Sequence, residues 1–158
     1  MIILGIDPGT VVSGYGVIDC AGSTYRAMDY GCIRPPARYP LSERYLVIFN
    51  SVEELITKYQ PDAVSVETQY VKCNVQSAIK LGMARGAVVI AAARHKVPVF
   101  EYAPTKAKLA VVGTGKASKQ QMQGMVQQIL RLPEPPTPED AADALALAIC
   151  HAQQKVLI

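Results

Sequence analysis

Met1-Ile2-Ile3-Leu4-Gly5-Ile6-Asp7-Pro8-Gly9-Thr10 is the stretch from which the fold can be read. Ile2, Ile3, Leu4 and Ile6 form a short apolar run, which predicts a strand covered on both faces. The run ends in Asp7, and Pro8-Gly9 reads as a tight turn out of the strand. A carboxylate at the end of a buried strand is costly unless it is paired or binds a cation. Asp7 therefore either caps the turn or anchors a site.

Working outward, Ser13-Gly14-Tyr15-Gly16-Val17-Ile18 predicts a second strand, Ala21-Gly22-Ser23 a turn, and Thr24 to Ile33 a third, antiparallel strand. Pro35-Pro36 ends this meander. Leu41, Tyr45, Ile48, Val52, Leu55, Ile56 and Tyr59 recur every three or four residues, an amphipathic helix stopped by Pro61. Ala63-Val64-Ser65-Val66-Glu67 is a fourth strand, again ending in an acid. Val75 to about Arg94 predicts a helix in which Ala78, Gly82 and Gly86 share one face. That face packs either on the protein's own sheet or on a second copy of the chain. Val97 to Tyr102 is a fifth strand, near an edge because of Pro98. Three helices follow. The first opens at Pro104 and closes at Gly113, the second has the capping box Ser118-Lys119-Gln120-Gln121, and the last has Thr137 as N-cap and Pro138 at its first position. The expected architecture is α/β: a mixed five-stranded sheet, with an antiparallel meander of strands 1–3 plus parallel strands, and helices on both faces.

The chain has 158 residues, one domain's worth, and half of them are hydrophobic. Its net charge of +3 is too mild to name a partner but does not exclude nucleic acid, since a local basic face matters more than the total. Cys20, Cys32, Cys73 and Cys150 are widely spaced, which argues for reduced thiols rather than zinc. No apolar run reads as a membrane span, and Met1 leads straight into the first strand, so a cytoplasmic protein without membrane association is expected.

Asp7 and Glu67 each end a strand, and parallel neighbours would bring both to one sheet edge. Asp140 and Asp143, three residues apart, share a helix face. Four such acids repel one another unless a cation compensates. Hard oxygen donors without His or Cys select Mg²⁺ or Mn²⁺, and two such ions about 4 Å apart serve in-line phosphodiester hydrolysis. Individually, Asp140 is also explained as a helix-start acid and Glu67 as an exposed strand end. Asp143 lies past the first turn on an Ala/Leu face, where capping explains it poorly. Glu101 reads as a surface or edge residue, and His95 and His151 as residues near helix ends. Gly113-Thr114-Gly115-Lys116 is no Walker loop, because Ala110 and Ala117 stand where Gly and Ser or Thr are needed. No nucleotide cofactor is expected.

Ile6-Asp7-Pro8-Gly9-Thr10 and Ser13-Gly14-Tyr15-Gly16-Val17 resemble the opening of the RuvC Holliday-junction resolvases. The resemblance continues through Val66-Glu67, Ala78 to Gly82, Ala84-Arg85-Gly86, Phe100 to Ala103, Val111-Val112-Gly113 and Asp140 to Ala146, covering nearly the whole chain in order. It implies an RNase H-like nuclease domain over residues 1–158, a homodimer, and a Mg²⁺-dependent endonuclease with two ions per active site. Such an enzyme nicks a four-way DNA junction symmetrically in recombination and repair, leaving 5′-phosphate and 3′-hydroxyl ends. The family's catalytic, metal-binding acids map onto Asp7, Glu67, Asp140 and Asp143. Its base-stacking aromatic maps onto Tyr70, where Phe is common, and its DNA-reaching lysines onto Lys108 and Lys119. Lys72 and Lys116 are added from their loop positions alone. The family also works with the RuvA–RuvB branch-migration complex. Three rivals remain: an actin-like ATPase, which needs two lobes; a junction-binding module that does not cut; and an RNase H-like nuclease for another branched or hybrid substrate.

Overall fold

The computed structural model describes residues 1–68 and 74–156. Five strands, β1 (Ile2–Asp7), β2 (Ser13–Ala21), β3 (Thr24–Ile33), β4 (Ala63–Glu67) and β5 (Val99–Tyr102), form one sheet. Among the described residues there are also five helices, α1 (Leu41–Tyr59), α2 (Val75–Arg94), α3 (Pro104–Val112), α4 (Lys119–Leu130) and α5 (Glu139–Val156). The strand order is β3-β2-β1-β4-β5, with β1–β2 and β2–β3 antiparallel and β1–β4 and β4–β5 parallel. β5 lies at an edge, where the unpaired side of a strand tolerates a nearby proline.

Alternation along β1 divides the interior into two layers. Leu4 and Ile6 face α1 and α2, packing with Val17, Val64 and Val66 against Ile48, Val52, Ile56, Ala84 and Val88. Ile3 faces the other way, with Ile18, against Met122, Val126, Leu145 and Ile149 of α4 and α5. Gly5 is the cross-strand partner of Gly16, and Asp7 that of Gly14, on this second face. All three glycines lie under α5. A Cβ at Gly5 would fall on the Ala144 carbonyl, and one at Gly14 on the Asp140 carbonyl. One at Gly16 would stand 2.7 Å from the Leu145 side chain and 2.9 Å from its amide nitrogen. The helix therefore rests on bare backbone.

Two polar contacts fix how α5 lies on the sheet. Ser65 Oγ, buried in β4, donates to the Leu147 carbonyl at 2.7 Å. One turn on, His151 Nδ1 meets the Tyr102 hydroxyl at 2.7 Å, with the Phe100 ring 4.3 Å from the imidazole. His151 is thus a core residue within the helix rather than one near its end, because α5 continues to Val156. The helix also starts one residue later than expected. The Pro138 carbonyl accepts from the Ala141 amide, which puts Pro138 at the cap position and Glu139 first in the helix.

The glycines of α2 behave differently. Nothing lies within 4 Å of a Cβ built at Gly82 or Gly86, so their face does not pack on the protein's own sheet. Ile79 (61 % exposed), Met83 (55 %) and Ile90 (62 %) continue the same open stripe. By length and composition α2 is apolar enough to cross a membrane, which the expectation of no such run missed. Its opposite face, Ala84, Val88, Ala91 and Ala92, is buried against α1 and the sheet, and Arg85 pairs with Glu101 of β5.

These two kinds of glycine make opposite expectations. Gly5→Ala must displace α5 and should cost about 1–3 kcal/mol or more. Gly82→Ala meets open space and should stabilise the isolated chain by about 1 kcal/mol through helix propensity. Urea denaturation of the two variants checks both signs.

Candidate active site

Sheet register brings the acids together. Ile6 pairs with Val66 in the parallel β1–β4 ladder, so Asp7 and Glu67 are the next residues at the same carboxyl edge. Ser65 faces α5, and Glu67, two residues on, faces the same way. Over that edge the glycine-seated first turns of α5 hold Asp140 and Asp143. All four acids are half-buried. Behind Asp7, the Pro8–Val12 turn is closed by Ser13, whose Oγ accepts from the Gly9 amide at 3.0 Å and donates to the Gly9 carbonyl at 2.9 Å. The Asp7 side chain shares a hydrogen bond with Glu67 instead.

The electrostatics are those of crowded like charges. Burial, then Glu67, Asp143 and Asp140, push the Asp7 carboxyl up from 3.8 to about 8. Burial also raises Glu67, against the opposing pull of its hydrogen bond with Asp7, and Lys108 opposes the rise as well. Burial raises Asp143 likewise, with Lys119 the main opposing charge and Asp140 adding to the rise. At neutral pH the cluster therefore holds a proton that a divalent cation would displace. The donor set fits such an ion: carboxylate oxygens from two strands and a helix, with no imidazole or thiolate among the four. No group of three or more His, Cys, Asp or Glu side chains among the described residues is already closed into a ligand cage. Asp7 and Glu67 share a hydrogen bond, and Asp143 and Asp140 act on Asp7 through their charge.

Lysines line the approach. A cleft of about 120 Å³ is bounded by Glu67 and Asp143, by Lys108 of α3 and Lys119 of α4, and by Pro104, Met122 and Leu147. Lys116 is exposed in the α3–α4 loop, outside this lining. Tyr70 and Lys72 lie outside the described residues. A larger, open hollow of about 560 Å³ between α1 and the end of α2 contains Glu53, Arg94 and His95, on the sheet face away from the acids. It contributes nothing to their chemistry. The sequence reading missed Glu139, which pairs with Lys119 at 2.7 Å. A helix-start acid is too common a signal to separate it from its neighbour Asp140.

The family model for crossover junction endodeoxyribonuclease RuvC matches residues 3–151. The chain belongs to the RuvC family. It is 68 % identical over 157 residues to the crossover junction endodeoxyribonuclease RuvC of Protochlamydia amoebophila, covering 99 % of this chain and 94 % of that one. It is 53 % identical over 154 residues to the RuvC of Chlamydia caviae, covering 96 % and 92 %. Thermus thermophilus RuvC in complex with a Holliday junction substrate superposes with a TM-score of 0.93 at 37 % identity, covering 99 % of this chain and 96 % of that one. The fold is accordingly the RNase H-like α/β fold, and the chain is a nuclease of the crossover-junction class.

The raised carboxyls make stability depend on pH. Between about 4 and about 8 the folded protein retains a proton on Asp7 that the unfolded chain releases, so stability falls as pH rises through that range. In EDTA the wild-type melting temperature should be lower at pH 8 than at pH 5, and Asp7→Asn should remove much of the difference. Calorimetry at the two pH values checks this. A fall of the same size in Asp7→Asn would assign the linkage to other groups.

Proposed function

We propose that the chain resolves four-way DNA junctions by paired, symmetric nicks in recombination and repair, working in the cytoplasm as one nuclease domain spanning residues 1–158. The observation that carries this reading is the meeting of Asp7, Glu67, Asp140 and Asp143 beside two lysines in a RuvC-family chain. The intact acids argue against a binding module that does not cut.

Asp7, Glu67, Asp140 and Asp143 are the ligands we propose for two Mg²⁺ ions, with Mn²⁺ as a substitute. Bound there, the metals would supply an activated water and stabilise the leaving 3′ oxygen. Asp7, the most crowded acid, would anchor them. Lys108 and Lys119 hold the backbone phosphates at the cleft, Lys116 adds a weaker contact outside its lining, and Lys72 is a further, weaker candidate from the sequence alone. These contacts position the DNA without reading its sequence. Tyr70 stacks on a base at the exchange point, which any base permits.

Symmetric cutting requires two sites related by a two-fold axis. We propose a homodimer through the open stripe of α2, where Gly82 and Gly86 let a second backbone approach and Ile79, Met83 and Ile90 supply apolar contact. Arg85 of the same helix pairs with Glu101 of the edge strand. A RuvA–RuvB branch-migration complex as partner follows from family membership alone.

The chain should nick a synthetic immobile junction in Mg²⁺, leave a linear duplex of the same sequence uncut, and cut neither in EDTA. Asp7→Asn should lower the cutting rate by at least about 10³-fold while junction affinity stays within a few-fold. Equal cutting of both substrates would keep the metal site and remove the junction. For the dimer, Ile79→Glu with Met83→Glu should give monomers by sedimentation and uncouple the two nicks. A dimer that survives both changes would place the interface elsewhere.

A further inference from the structure

The two lysines at the cleft are held differently. Lys108 is half-buried beside Glu67 and Asp143 and forms no ion pair among the described residues. Lys119 is 66 % exposed and donates from Nζ to Oε2 of Glu139 at 2.7 Å, the acid itself being 51 % exposed. Neither helix needs this bond. α4 is already closed at its start by the Ser118–Gln121 capping box, and a lysine in its first turn opposes the helix dipole. Glu139 suits the first position of α5 without reaching across to α4. An ion pair this exposed contributes little to stability and is exchanged at small cost.

Resting on the resolvase reading, we infer that Glu139 is a specificity-determining positioning residue: it neutralises Lys119 in the free enzyme and releases it only to a phosphate seated at the acids. A net-neutral pair gives a passing backbone no reason to shed cations, whereas an unpaired lysine releases about one per phosphate contact. Ordinary duplex crossing the surface thus gains nothing from Lys119. A phosphate lodged in the cleft lies within the lysine's reach and takes the place of the Glu139 carboxylate. Masking Lys119 in this way weakens binding to duplex more than to a junction opened onto the site.

The test measures binding of fluorescent linear duplex and of junction across a salt series, with Ca²⁺ as the oxygen-binding divalent ion, for wild type, Glu139→Gln, Lys119→Ala and the double variant. Glu139→Gln should steepen the duplex slope of log K against log salt by about 0.9 and tighten duplex binding roughly 3–10-fold near 0.1 M salt. Junction affinity should change less, so discrimination falls. The double variant should match Lys119→Ala, because the effect acts through that lysine. An unchanged slope in Glu139→Gln, or the same gain in the Lys119→Ala background, would overturn the inference while leaving the resolvase reading in place. A wild-type chain that binds both substrates alike and fails to cut the junction in Mg²⁺ would remove both.

Discussion

The close seating of α5 on the β1–β2 ladder is the constraint on which the rest depends. Gly5, Gly14 and Gly16 replace a layer of side chains with backbone, and the helix drops into the space. Only at that separation do acids on its first turns reach the acid at the end of β1. Any side chain at Gly5 or Gly14 would meet a helix carbonyl rather than a flexible neighbour. The core on this face, from Ile3 and Ile18 to Leu145 and Ile149, then holds the helix down along the remainder of its length.

The electrostatic cost of the arrangement falls where the chemistry is. Asp7, raised by burial and by its three acidic neighbours, is a carboxyl the fold keeps partly protonated until something positive arrives. The lysines reduce the cost from outside without ending it. Lys108 and Lys119 pull down the acids they face, yet Glu67 and Asp143 remain raised. A fold selected for stability alone would not put four carboxylates there, and local conflict of this kind is what functional sites tolerate.

Much of this was legible in the chain. The apolar run before Asp7, the helical spacing from Leu41 to Tyr59, the capping box at Ser118 and the glycine closing α3 each reflect a local rule, and each element appears where that rule puts it. Placing the acids needed one non-local fact, that β1 and β4 are parallel neighbours, and family resemblance supplied it. What stayed hidden was pairwise and distant. His151 read as a helix-end residue because nothing nearby in sequence announces Tyr102 as its partner. Glycines of one kind also served two purposes: those of β1 and β2 admit a helix of the same chain, while those of α2 face open space. Periodicity tells which residues share a face, but not what lies opposite.

Ser65 and Tyr102 grip α5 one turn apart, at the Leu147 carbonyl and at His151. Two fixed points on a rod remove both its slide and its spin. The acid-bearing end is therefore machined to one position relative to the sheet edge, with little travel left for the protein to mould itself around a scissile phosphate. In such an enzyme the give must come from the nucleic acid. A continuous duplex resists bending, while a branched structure with unstacked arms yields at its centre. Stiffness in the protein thus becomes a way of measuring compliance in the DNA.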